Sequence, residues 1–73
     1  MTFCDKLQIL RKSKGLTQED LADKINVSRA AVAKWEAGQS YPDIFNLIQI
    51  SELMNVTVDY LVKDQTCNVA PVD

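Results

Sequence analysis

Thr17, Asn26, Ser28 and Gly38 punctuate the stretch from Leu16 to Gly38 so closely that it has room for only two short helices. Thr17 is a good helix N-cap, and Asp20, at the third helical position, approximates a capping box. Leu21, Ala22 and Ile25 then recur at helical spacing and form an inner face. A tight turn between helices usually needs one residue with positive φ, and asparagine tolerates that region best after glycine. Asn26 is therefore expected to be left-handed, with Val27 pointing inward and Ser28 capping the next helix. That helix runs from about Arg29 to Ala37 and closes at Gly38. At 100° per residue, Ala31, Val32 and Trp35 share one face, and Ala30, Ala33, Lys34 and Ala37 form the opposite stripe with Arg29 beside it. Packing inside the domain does not account for that second stripe. Trp35, opposite it, reads as core and not as a stacking platform.

The flanking segments follow the same period. Phe3, Leu7, Leu10 and Lys14 share a face of a first helix, Phe3 to Ser13, ended by Gly15. Asp43 caps a fourth helix running to about Met54, with Leu47, Ile50, Ser51 and Met54 on one face and Ile44, Phe45 and Ile48 broadening it. Thr57 precedes a short fifth helix from about Val58 to Val62. No segment alternates convincingly as a strand. The fold class is all-α: a five-helix orthogonal bundle over residues 1–63, followed by a polar, aperiodic tail over 64–73 that reads as a flexible end or the start of a linker.

Composition narrows the function classes. The chain has 73 residues, enough for one modest core, and 47% of them are hydrophobic, as in ordinary globular domains. No apolar run approaches the roughly 18–20 residues that span a bilayer, and the N-terminus does not resemble a signal peptide. Histidine is absent and the two cysteines, Cys4 and Cys67, stand far apart, so no metal site is expected. Two free thiols in a reducing cytoplasm is the plain reading, and a terminus-to-terminus disulfide is the other. No nucleophile, base and orienting group assemble, so no enzyme and no cofactor are expected. Glu19 and Asp20 read as first-turn acids favoured by the helix dipole.

The net charge of −2 runs against simple electrostatic attraction to nucleic acid, but its distribution matters more. Lys6, Arg11, Lys12, Lys14, Lys24, Arg29 and Lys34 all lie in the first half. Beyond Lys34 only Lys63 is basic, against six acids. A nucleic-acid face would lie in the first half. Arg11 and Glu36 lean inward on the flanks of their helices. An isolated buried charge is costly, so they are expected to form an ion pair; the alternative is that both reach water.

Leu16-Thr17-Gln18-Glu19-x-Leu21-Ala22, Val27-Ser28-Arg29 and Val32-x-Lys34-Trp35-Glu36-x-Gly38 together resemble the Cro/phage-repressor, or Xre, helix-turn-helix family. Asn55-Val56-Thr57-Val58-Asp59-Tyr60-Leu61 resembles the family's fifth-helix motif, so the resemblance covers about residues 3–63. It implies a lambda-repressor-like domain that binds double-stranded DNA at a palindromic operator as a homodimer. It also implies that Arg29, Ala30, Ala33 and Lys34 read base edges, and that Thr17, Gln18, Ser28, Gln39 and Ser40 meet phosphates. Position 26 is often glycine in the family, 30 often glutamine and 33 often serine. Asparagine at 26 should keep the turn, while alanine at 30 and 33 removes two polar readers and leaves methyl contacts to thymine.

A cytoplasmic transcriptional regulator, repressing by occluding a promoter, is the function expected from this reading. The alternative is a protein-interaction or antitoxin module on the same bundle. Phe45, Ile48, Tyr60 and Val62 exceed core needs and are candidates for a two-fold interface; internal packing with scattered surface apolars is the other reading.

Overall fold

The computed structural model describes residues 2–63, and among them the chain forms five helices and no strand. They are α1 (Phe3–Ser13), α2 (Gln18–Ile25), α3 (Arg29–Glu36), α4 (Ile44–Met54) and α5 (Val58–Val62). Each begins on a side-chain oxygen. Thr2, Thr17, Ser28, Asp43 and Thr57 sit in extended backbone and accept a hydrogen bond from the N–H three residues on. A cap of this kind satisfies one of the first-turn N–H groups and contributes about 1 kcal/mol. At Thr17 the box closes, because the Asp20 carboxylate accepts the Thr17 N–H at 3.0 Å. The Thr17 backbone N–H and hydroxyl hold the Asp20 pKa below its usual 3.8. The box therefore contributes fully above the usual carboxylate range and loses that contribution as pH falls through the lowered value.

The first four helices end alike. Gly15, Asn26, Gly38 and Asn55 have φ of 71°, 62°, 78° and 59°. The N–H of the following residue reaches back across the last turn: Leu16 to the Arg11 carbonyl, Val27 to Ala22, Gln39 to Lys34 and Val56 to Ser51, at 2.9–3.1 Å. These are Schellman closures, which need a left-handed residue and satisfy otherwise orphaned carbonyls. Asn26 is left-handed as its sequence context predicts. Asn55 does the same unanticipated, although Asn55-Val56-Thr57 repeats the order of Asn26-Val27-Ser28. Asn26→Gly is expected to leave stability within about 0.5 kcal/mol, and Asn26→Ala to lower it by about 1 kcal/mol, because only the second sets a Cβ without local polar compensation in the left-handed region. Urea unfolding of both variants measures the difference.

The core consists of Phe3, Leu7, Leu21, Ala22, Ile25, Val32, Trp35, Ile50, Met54 and Leu61. α2 packs chiefly on α3, α1 on α3 and α5, and α4 on α5 and α2. Trp35 lies inside, as expected. One detail of α1 is corrected: Lys14, read as part of its inner face, lies exposed beyond the helix, while Lys6 is buried. Lys6 Nζ donates to the Tyr60 carbonyl at 2.7 Å and stands 4.5 Å from the Tyr60 ring centroid, so a cation ties α1 to α5. No apolar period reveals such a lysine; its stem packs while its head finds a carbonyl and a π face. Cys4 is a free thiol. Cys67 and the tail over 64–73 lie outside the described residues.

Candidate nucleic-acid interface

The exposed side of α3 is made of small residues with a cation on either shoulder. Val32, Trp35 and Glu36 are buried, Ala31 and Ala33 are half-buried, and Arg29, Ala30, Lys34 and Ala37 are exposed. With Ala30 and Ala37 exposed and Ala33 half-buried beside them, the α3 backbone can approach a partner closely. Ala33 lies nearer the flank than the sequence stripe implies.

Beside α3 stands the first turn of α2. Residues 15–19, Arg11 and Arg29 line a cleft of about 540 Å3. The Thr17 N–H and the Asp20 N–H are taken by the capping box. The N–H groups of Gln18 and Glu19 keep no partner among the described residues and open outward at the positive end of the helix dipole. Glu19 brings a negative charge to the same cleft.

Arg11 and Glu36 pair inside this unit. Arg11 Nε donates to Glu36 Oε2 at 2.7 Å and Arg11 Nη2 to Oε1 at 3.1 Å, with side chains only 11% and 5% exposed. Arg11 Nη1 also donates to the Leu16 carbonyl at 2.8 Å. Gln8 Nε2 donates to the Glu36 carbonyl and Gln18 Nε2 to Glu36 Oε1, both at 3.1 Å. One carboxylate thus fixes α1, the α1–α2 turn, the start of α2 and the end of α3 relative to one another. The sequence marks Gln18 only as a phosphate position. Its bond to Glu36 leaves no trace in periodicity, because it depends on how α2 crosses α3.

Ser28 is exposed and its hydroxyl accepts the Ala31 N–H at 3.1 Å. Gln39 and Ser40 follow α3 and are exposed on the loop to α4. The four apolar interface candidates do not stand alike. Phe45 and Ile48 are 70% and 42% exposed, and Ile44 beside them 62%. Val62 is partly buried and packs against the core, while Tyr60 is 44% exposed. The Tyr60 ring is held against Lys6.

Residues 7–61 match the helix-turn-helix family. The chain is 48% identical over 65 residues to the HTH-type transcriptional activator BcrR of Enterococcus faecalis, covering 89% of this chain and 32% of that protein. It is 41% identical over 64 residues to the uncharacterised HTH-type transcriptional regulator YqaE of Bacillus subtilis, covering 88% of this chain and 55% of the relative. The chain thus spans only a third to about half of these relatives. Among solved structures, the P22 c2 repressor in complex with a synthetic operator superposes with a TM-score of 0.83 at 27% identity, covering 86% of this chain and 96% of that one.

Proposed function

The chain belongs to the helix-turn-helix family of Cro and the phage repressors, and on that premise we propose that it binds duplex DNA as a transcriptional regulator. α3 enters the major groove, with Ala30, Ala33 and Lys34 toward the base edges. The observation that carries this reading is that Arg29, at the start of α3, lines one cleft with the first turn of α2, where the N–H groups of Gln18 and Glu19 are unpartnered. A helix N-terminus there meets a phosphate while the neighbouring helix meets the groove. Likeness to a repressor seen with its operator supports the same placement. Thr17 and Ser28, at the starts of α2 and α3, and Gln39 and Ser40, just after α3, are exposed and suit backbone contacts.

Two copies form the functional unit, on a palindromic operator whose half-sites lie about one helical turn, 34 Å, apart. Ile44, Phe45 and Ile48 on the first turns of α4 are the surface that joins them. Repression by occluding a promoter needs only the dimer and its operator. Activation is the second reading, favoured by the 48% identity to a protein named as an activator. A DNA target implies action in the cytoplasm.

Binding to a random duplex between about 50 and 200 mM salt tests the proposal. Several phosphate contacts make affinity fall by orders of magnitude over that interval. Absent binding at low salt, or a flat salt profile, overturns it in favour of a protein-interaction module, which the net charge of −2 would suit.

A further inference from the structure

Resting on the DNA reading above, we infer that Arg29 grips the sugar-phosphate backbone and does not read a base, which leaves Lys34 as the polar specificity residue of α3. The first observation is angular. Ala30 and Ala37 point within about 20° of each other at the middle of the exposed arc, and Lys34 leaves the axis about 40° to one side. Arg29 leaves about 100° to the other side, within about 20° of Glu36. Glu36 occupies the α2-facing flank, where it holds Arg11 and Gln18. A side chain on that flank departs toward α2, away from the groove floor.

The second observation is the company Arg29 keeps. It lines the cleft with residues 15–19 and Arg11. Arg11 there is committed to Glu36 and the Leu16 carbonyl. Arg29 is exposed and has no hydrogen bond or ion pair among the described residues, although Glu19 lines the same cleft. An uncommitted guanidinium therefore flanks the first turn of α2, which the DNA reading sets against a strand. Its planar fork suits two phosphate oxygens and a guanine edge alike, so its place beside the first turn of α2 is what sets the strand wall in its way first. The base edges lie beyond Ala30, at the middle of the exposed arc.

Duplexes selected from a randomised pool by the wild-type chain, and an unselected random duplex, are titrated with wild type, Arg29→Ala, Arg29→Lys and Lys34→Ala across a salt series. Arg29→Ala is expected to lose the same factor, on the order of tenfold, on both duplexes, with its salt slope reduced by about one and every base preference kept. Arg29→Lys recovers part of that loss by restoring the point charge without the fork. Lys34→Ala instead loses discrimination at one base position by about five- to 150-fold. Arg29 makes no hydrogen bond or ion pair among the described residues that its removal would break, so equal melting curves are expected for the Arg29 variants. The assignment is overturned if Arg29→Ala lowers the selected-to-random ratio fivefold or more, or selects a different motif. Wild type that binds neither duplex overturns the DNA reading itself and the assignment with it; the wild-type arm shows that failure, whereas a wrong assignment shows only in the Arg29 arms.

Discussion

Glu36→Ala is expected to lower unfolding stability by about 3–5 kcal/mol, because it leaves Arg11 charged in a site where only 11% of its side chain meets water. A chain of this size has on the order of 4–11 kcal/mol to lose. The variant should therefore be largely unfolded at moderate urea or a few tens of degrees above room temperature. The desolvation of Arg11 dominates this result, and the attraction it forfeits is secondary. A buried pair replaced by apolar groups of similar volume is often neutral, so Arg11→Met combined with Glu36→Leu should recover most of the loss. It should not recover all of it, since the Leu16 carbonyl loses its donor, Arg11 Nη1, at a cost of about 1 kcal/mol. The double variant separates two jobs of Glu36. It should fold, yet bind every duplex more weakly, because Gln18 loses the carboxylate oxygen that holds it at the start of α2. Urea unfolding of the two variants beside the wild type checks the first part and random-duplex titration the second. A Glu36→Ala loss under 1 kcal/mol would show that Arg11 escapes to water and that the network does not fix α1 to α3.

Those features of the fold that depend on residues close in sequence were legible in the chain. Thr17, Ser28, Asp43 and Thr57 announce helix starts because a cap bonds only three residues ahead, and Gly15, Asn26 and Gly38 announce ends because few residues tolerate positive φ. The Arg11–Glu36 pair was legible because both charges lie on inward flanks, a property of each helix by itself. What was not legible depends on how helices cross. Lys6 looked like another surface cation until α5 laid its Tyr60 carbonyl and ring over the ammonium. Gln18 looked free to turn outward until α3 placed Glu36 within reach. Val62 and Phe45 carry the same apolar excess in sequence, yet only packing decides that Val62 is partly buried against the core and Phe45 stays 70% exposed.

That contrast directs the second large effect to α4. Phe45→Glu is expected to convert the chain from dimer to monomer at micromolar concentration and to weaken binding to a palindromic operator by at least about a hundredfold, the usual scale of lost avidity. Stability should change by less than about 0.5 kcal/mol, as for other exposed substitutions. The choice of glutamate protects the fold: the first turn of α4 carries no acid, and a negative charge there is favourable to the helix dipole. It also sits on a molecule proposed to bind a polyanion, so repulsion from DNA would imitate a lost dimer. Phe45→Lys removes that ambiguity, since it attracts DNA while opposing burial just as strongly. If both variants are monomers by sedimentation and both lose the palindrome while keeping binding to a random duplex, the patch of Ile44, Phe45 and Ile48 joins two copies. If Phe45→Glu alone loses affinity, the effect is electrostatic. If wild type itself sediments as a monomer, the two-fold unit is wrong and the exposed apolar turn of α4 serves something other than a second copy.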